Sequence, residues 1–143
     1  SADGYIAAPS REAFFAAADV LSLHLRLTDD TRGAITGDDL GRMKPTALLV
    51  NTSRAELIEE GALVAALNRG RPGMAAVDVF ESEPILQGHP LLRLENAVCT
   101  PHIGFVELNN YDTMFSAAFD NLLNYLAGNP SNIVNPEALK VHR

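Results

Sequence analysis

The sequence predicts an α/β fold in which short parallel strands alternate with helices. Short apolar runs recur along the chain, and segments with apolar residues at helical spacing separate them. The runs are apolar throughout rather than alternating with polar residues, which is typical of a parallel sheet covered on both faces. The predicted strands are residues 20–25, 47–50, 74–79 and 97–99.

Four helical segments complete the pattern, and each has a start or stop signal. Ser10 and Thr36 are predicted to cap the first two helices, because their hydroxyls accept hydrogen bonds from free N–H groups in the first turn. Pro45 ends the second helix, and glycines end the third and the last. The helices are placed between residues 10 and 19 and over residues 37–44, 59–68 and 107–127. Residues 129–143 carry two prolines and are predicted to form an extended arm.

Composition excludes several classes of function. The net charge is -7 and the 11 basic residues are scattered, which argues against a nucleic-acid surface. No apolar run approaches the length of about 18 residues that a membrane span needs, and no basic segment of the kind that opens a secretory signal begins the sequence. The single cysteine, Cys99, excludes an internal disulfide and a cysteine metal cluster. We therefore expect a cytoplasmic protein without nucleic-acid, membrane or metal sites.

Polar side chains stand at the ends of three successive predicted strands. Arg54 follows the second strand, Asp78 and Glu83 lie at and after the end of the third, and His102 follows the fourth. Ligands bind at the carboxyl ends of strands in open α/β sheets, so we expect these four residues to gather there. An arginine can hold a carboxylate through two hydrogen bonds. A histidine beside a carboxylate can give or take a proton near neutral pH.

Each of these residues also has a purely structural alternative. Arg54 could form a surface salt bridge, Glu83 could be a solvated loop carboxylate, and Asp78 could cap a loop. His102 could be a hydrogen-bonded loop histidine. The spacing of the residues leaves these alternatives open. No glycine-rich phosphate loop of the GxGxxG or GxxxxGK[ST] type occurs in the sequence.

Four linked stretches resemble the D-isomer-specific 2-hydroxyacid dehydrogenase family, which includes phosphoglycerate dehydrogenase and hydroxypyruvate reductase. They are ADVLSLHL from residue 18, MKPTALLVNTSR from residue 43, AVDVFESEP from residue 76 and NAVCTPHIG from residue 96. The tail VNPEAL, from residue 134, resembles the C-terminus of the family. The likeness covers nearly the whole chain in the order and close to the spacing of the family.

The resemblance implies the second half of a Rossmann-type doubly wound parallel sheet, followed by a long helix and arm. Residues 1–106 would be the C-terminal part of an NAD(P)-binding domain, and residues 107–143 would return toward a substrate domain. The glycine-rich turn of that domain and the substrate lobe have no counterpart in the sequence. We therefore expect a fragment of a longer chain, inactive by itself, because that turn supplies the main pyrophosphate site.

The resemblance also implies an activity, which is the interconversion of D-2-hydroxy acids and 2-oxo acids by hydride transfer with NAD or NADP. Arg54 would bind the substrate carboxylate and the reacting carbonyl, and His102 would be the general acid or base. Glu83 would orient and charge His102. Asp78 and the backbone near Thr52 would hold the nicotinamide carboxamide. The residues implied in cofactor binding are Leu25, Arg26, Thr52, Ser53, Arg54, Asp78, His102 and Gly104.

The sequence departs from the family at Arg26, where proline is common, and at Ala55, where glycine usually follows the arginine. Residues 105–107 replace more frequent small residues. The resemblance suggests a homodimer. Two other functions stay open: a non-catalytic dinucleotide-sensing protein, and an oligomerisation segment without ligand affinity.

Overall fold

One parallel sheet, with its strands in chain order, organises the first part of the chain. The computed structural model describes residues 4–140, which form two compact units that divide between Gly104 and Phe105. The predicted α/β class and the parallel pairing are confirmed. The strands are β1 (Val20–Leu23), β2 (Leu48–Asn51), β3 (Met74–Val77) and β4 (Ala97–Cys99).

Helices connect the strands, and the longest helix forms most of the second unit. Short 3₁₀ helices, which the sequence analysis did not predict, lie at Ala55–Leu57, Pro90–Arg93 and Pro136–Lys140. The α-helices are α1 (Arg11–Ala17), α2 (Gly37–Arg42), α3 (Ala62–Asn68) and α4 (Leu108–Leu126).

The two predicted N-caps are confirmed. The Ser10 hydroxyl accepts a hydrogen bond from the Ala13 N–H at the start of α1. The Thr36 hydroxyl accepts from the Asp39 N–H, and the Asp39 carboxylate accepts from the Thr36 N–H, which completes a capping box at α2. The predicted third helix begins three residues late, because Gly61 has a left-handed φ of 72° and caps it.

All four strands end at the same level. Leu23 pairs with Asn51, Asn51 with Val77, and Val77 with Cys99, so these residues form one row across the sheet. The predictions for β1 and β3 ran two residues further, to 25 and 79. They are wrong there because a parallel strand keeps its hydrogen bonds only as far as its neighbour extends. The row marks the carboxyl end of the sheet.

The helices of the first unit cover one face of the sheet. Along β1 to β3 the side chains alternate, and Leu21, Leu49 and Ala75 are buried in the core. On the opposite face Val20 is 62% exposed and Val98 is 55% exposed. The expected cover on both faces is therefore wrong within this unit. The strands follow one another across the sheet in chain order, and right-handed connections in one direction place their helices on the same face. Consistent with this, α2 contacts both α1 and α3.

The second unit is the predicted long helix, α4, with a tail. The Glu107 side chain caps α4 by accepting from the N–H groups of Asn109 and Asn110. No residue of α4 is buried. The tail is not the wholly extended arm that was predicted, because the Asn132 side chain donates back to Asn121 of α4 and a 3₁₀ helix follows. The last three residues of the predicted arm lie outside the described residues.

Candidate active site

Three predicted site residues line one cavity at the carboxyl end of the sheet. Arg54, Glu83 and His102 surround a space of about 320 Å³, with Phe80 and Glu81 also in its wall. Arg54 follows β2, the two glutamates follow β3, and His102 follows β4. The parallel sheet therefore gathers residues that are distant in sequence, as the strand-end argument predicts.

His102 and Glu83 form a short hydrogen bond. The His102 Nδ1 lies 2.6 Å from the Glu83 Oε2. An ionised carboxylate only accepts hydrogen bonds, so Nδ1 carries the proton in this pair and the tautomer of the ring is set. Glu83 is therefore bonded to His102, although its side chain remains 35% exposed. The pair joins the loop after β3 to the loop after β4.

The Glu83 carboxylate is held at both oxygens. The Phe80 N–H donates to Oε1 at 3.0 Å, while Oε2 accepts from His102. The hydrogen bond from Phe80, followed by the bond to His102 and the charges of His102 and Arg54, lowers the pKa of Glu83 below its usual value. Glu83 therefore remains a carboxylate beside the imidazole at neutral pH.

The backbone at His102 is constrained. Its φ of 56° lies in the left-handed region, which non-glycine residues rarely occupy. The His102 N–H donates to the Thr100 carbonyl at 3.0 Å and stabilises this tight turn. Unfavourable backbone conformations of this kind concentrate at functional sites, where the surrounding structure fixes a side chain in one direction.

Asp78 organises the turn that carries His102. One carboxylate oxygen accepts from the Thr100 hydroxyl and from the Ile103 N–H, and the other accepts from the Gly104 N–H at 2.7 Å. Burial alone would raise the pKa of Asp78, but these hydrogen bonds and the charge of His102 lower it. The structure therefore gives Asp78 a structural role; its contact with a nicotinamide stays a prediction.

Gly104 lies so close to Asp78 that a side chain at this position would force the carboxylate to move. A Cβ added at Gly104 would stand 2.9 Å from the Asp78 Oδ2 and 3.9 Å from the Thr52 Cβ. Glycine therefore lets the backbone approach the carboxylate without displacing it. Thr52 and Gly104, two of the predicted cofactor residues, are brought together by this approach.

The other predicted cofactor residues line a second cavity. Leu25, Arg26, Ser53 and Arg54, together with His24, surround a space of about 360 Å³ between the ends of β1 and β2. The Ser53 hydroxyl donates to the Leu25 carbonyl at 2.7 Å, which ties the two loops together.

The two cavities meet at Arg54, which lines both. The Arg54 Nη1 donates to the Ser53 carbonyl, and no ion pair of this side chain occurs within residues 4–140. The surface salt bridge of the structural alternative is therefore not formed there. An extended polar ligand lying across the strand ends could contact Leu25 and Arg26 at one end and His102 at the other.

Sequence reasoning missed two residues that shape this site. The Phe80 N–H orients Glu83, and the Thr100 hydroxyl binds Asp78. A backbone donor leaves no signal in residue type, whereas a threonine directly before the Pro101–His102 pair is a polar residue at a strand end and could have been included.

The described part of the chain contains neither a metal-binding cluster nor a membrane-spanning helix. Within residues 4–140, no cluster of three or more His, Cys, Asp or Glu side chains is arranged to hold a metal ion. Over the same residues, no helix combines the length and apolar character that crossing a bilayer requires.

Comparison with known proteins identifies the family. Residues 2–104 match the model of the D-isomer specific 2-hydroxyacid dehydrogenase, NAD binding domain. The chain is 44% identical over 126 residues to a glyoxylate reductase from Aeropyrum pernix, covering 87% of this chain and 38% of that protein. It therefore spans about two fifths of the length of this relative.

Solved structures agree with this match. An oxidoreductase from Ralstonia solanacearum has a TM-score of 0.91 and 64% identity, over 96% of this chain and 40% of that one. A D-isomer specific 2-hydroxyacid dehydrogenase from Xanthobacter autotrophicus Py2, solved in complex with NADPH and MES, has a TM-score of 0.65 and 32% identity over 89% of this chain and 52% of that one. The chain belongs to the D-isomer specific 2-hydroxyacid dehydrogenase family, and its residues 2–104 match the NAD binding domain of that family.

Proposed function

We propose that the protein containing this chain is an NAD(P)-dependent oxidoreductase that interconverts D-2-hydroxy acids and 2-oxo acids. The observation that supports it best is the hydrogen-bonded His102–Glu83 pair, which shares one cavity with Arg54. A permanent positive charge and a proton donor in the wall of one small cavity suit a 2-oxo acid, because its carboxylate must be held while its carbonyl oxygen is protonated.

Arg54 would bind the substrate. Its guanidinium can donate two parallel hydrogen bonds to a carboxylate and remains charged at all working pH values. Because Arg54 lines both cavities, a 2-oxo acid bound to it would lie beside the ligand of the second cavity. The same charge would polarise the neighbouring carbonyl.

His102 would move the proton. With Nδ1 hydrogen-bonded to Glu83, the ring can present its other nitrogen, Nε2, to the substrate oxygen. Glu83, kept ionised by Phe80 and His102, stabilises the positive ring before the proton is given up. The same pair takes the proton back when the hydroxy acid is oxidised. General acid catalysis of this kind contributes about 10²–10⁴-fold to the rate.

The second cavity would hold the dinucleotide. The residues present fit such a ligand, because the cavity at the ends of β1 and β2 has polar side chains in its wall and shares Arg54 with the His102 cavity. Leu25 and Arg26 would lie along the adenosine, and Thr52, Ser53 and Gly104 would lie nearer the nicotinamide. When bound, the cofactor supplies or accepts the hydride.

We further propose a cytoplasmic homodimer. A single cysteine, which allows no internal disulfide, supports the compartment. The homodimer is what the resemblance to the dehydrogenase family implies. Analytical ultracentrifugation of the intact protein tests the assembly, and a monomer at all concentrations would reject it.

The activity is tested in the intact protein by NADH and NADPH oxidation with glyoxylate, hydroxypyruvate and pyruvate. We expect turnover in the wild type and a loss of about 10²-fold or more in kcat/KM for Arg54→Ala, because the substrate loses its anchor. Arg54→Lys should lose less, and Arg69→Ala, an exposed arginine at the end of α3, should behave as wild type. NADH binding, followed by fluorescence, should persist in Arg54→Ala.

Two outcomes would contradict the proposal. Unchanged turnover in Arg54→Ala removes the arginine from the mechanism. Dinucleotide binding without turnover of any 2-oxo acid would instead favour a sensing protein of the same fold.

A further inference from the structure

A second histidine–glutamate pair lies on the loop that carries Glu83. The His89 Nε2 is 3.2 Å from the Glu81 Oε2, and the His89 side chain is only 21% exposed. His89 caps the short 3₁₀ helix Pro90–Arg93, which lies between β3 and β4. This second pair lies on the same loop as Glu83, and it includes neither Glu83 nor His102.

His89 also contacts Phe80. The two rings meet edge to face, with centroids 5.5 Å apart and an interplanar angle of 70°. Phe80 is 5% exposed, so its ring is buried, and His89 packs against one edge of the site that it occupies. Edge-to-face contacts of this kind fix the relative orientation of two rings.

The backbone of Phe80 links His89 to Glu83. Its N–H donates to one oxygen of Glu83, and the other oxygen accepts from His102. The Phe80 hydrogen bond is also the first cause of the lowered pKa of Glu83. A shift of the Phe80 ring would therefore move the donor that orients the carboxylate.

We propose that His89 is a positioning residue: it holds the Phe80 ring, so that the Phe80 N–H keeps the Glu83 carboxylate directed at His102. The part that concerns catalysis depends on the proposed oxidoreductase function. His89 does this as a neutral ring, because its Nδ1 accepts from the Leu91 N–H at 3.3 Å and its Nε2 can then donate to Glu81.

A simpler role for His89 would be to cap the 3₁₀ helix through the bond from Leu91. Two substitutions separate the roles. His89→Asn keeps a good capping side chain but loses the ring, whereas His89→Phe keeps a ring against Phe80 but loses the cap. Arg93→Ala, an exposed residue in the same 3₁₀ helix, is the matched control.

The experiment uses the intact protein and two readouts. The first is the protonation of the Glu83 carboxyl, followed by ¹³C NMR against pH, with the Glu83→Gln variant to assign the signal. The charged groups that bear on Glu83 are His102 and Arg54, and both remain in every variant compared. The second is kcat and KM for 2-oxo acid reduction.

We expect the pKa of Glu83 to rise toward its ordinary value in His89→Asn, because the Phe80 donor is no longer held. We expect kcat to fall about tenfold while KM for the 2-oxo acid changes less, because Arg54 is untouched. His89→Phe and Arg93→Ala should stay close to wild type in both readouts.

A wild-type titration of Glu83 in a folded His89→Asn protein would overturn the proposal, and so would an equal shift in Arg93→Ala. If His89→Asn does not fold, Phe80→Leu tests the same contact from the other side and should raise the pKa of Glu83; no change there would also overturn it. The titration needs no turnover, so an inactive wild type would reject the proposed oxidoreductase while the NMR result still decides the coupling between His89 and Glu83.

Discussion

Asp78 binds three donors with two oxygens, and all three belong to the segment that follows β4. They are the Thr100 hydroxyl, the Ile103 N–H and the Gly104 N–H. The side chain is nearly inaccessible to solvent, so water cannot take the place of a lost partner. His102 lies within this segment. The orientation of its side chain therefore depends on the buried carboxylate of Asp78, which follows the neighbouring strand β3.

The substitution Asp78→Asn tests this dependence. An amide has only one acceptor oxygen, so its NH₂ must face a donor at one end of the set. We expect the intact protein to lose about 1–3 kcal/mol in unfolding free energy, measured in urea. Asp30→Asn, an exposed loop carboxylate, serves as the control and should change little. Equal stabilities for the two variants would show that the segment after β4 does not need Asp78.

The sequence could predict Arg54, Glu83 and His102 because each stands at the end of an apolar run, and parallel strands bring such ends together. It could not predict how Glu83 is oriented. The Phe80 N–H that orients it is a backbone group present in every residue except proline, and only the path of the chain aims it. The left-handed φ of His102 could not be predicted either, because the presence of a histidine does not by itself indicate this conformation.

At the scale of elements, the apolar runs and caps predicted every α-helix and strand, and the errors lie at their ends. The end of β1 depends on where β2 stops, which is information from a segment 28 residues away. The 3₁₀ helices are too short to show a hydrophobic period, so the residue pattern does not predict them.

The helix layer contains one linkage with a clear pH dependence. Arg11 of α1 binds the carboxylate of Asp39 in α2, with a 2.5 Å ion pair, and also donates to the Ala34 carbonyl. The Arg11 hydrogen bond, opposed by burial and supported by bonds from Thr36, lowers the pKa of Asp39 to about 2. Because this folded-state pKa lies below the ordinary value, the stability it adds is present above about pH 4 and is lost as the pH falls toward 2.

Removing the arginine should therefore weaken the fold in a pH-dependent way. For Arg11→Ala we expect a loss of about 1 kcal/mol in unfolding free energy at pH 7, a modest value because half of the Arg11 side chain is in solvent. The difference from wild type should shrink as urea unfolding is repeated at lower pH. Arg93→Ala supplies the control. A difference that stays constant down to pH 2 would mean that Arg11 acts through packing rather than through the Asp39 charge.

At the scale of the whole molecule, the sheet has a buried face and an open one. Leu23, Leu49 and Val77 point into the core beneath the helices, whereas Val20, Met74 and Val98 are at least half exposed on the other side. The residues of the open face are as apolar as those of the buried face, which is why the sequence predicted cover on both sides. The apolar residues of a strand indicate that a sheet face is suited to burial, but they do not indicate which segment covers that face.

This open face sets the expected behaviour of residues 1–143 expressed by themselves. Contiguous exposed apolar surface favours association, so we expect a concentration-dependent dimer or larger species in sedimentation velocity. The double substitution Val20→Thr and Val98→Thr keeps the β-branched shape that strands favour but reduces the apolar surface. The dissociation constant should rise about tenfold or more, because each substitution replaces an apolar methyl group by a hydroxyl. Val134→Thr, 96% exposed in the second unit, should leave association unchanged. A monomer at every concentration that melts cooperatively would show that the open face tolerates water, and the case for association through the sheet would then fail.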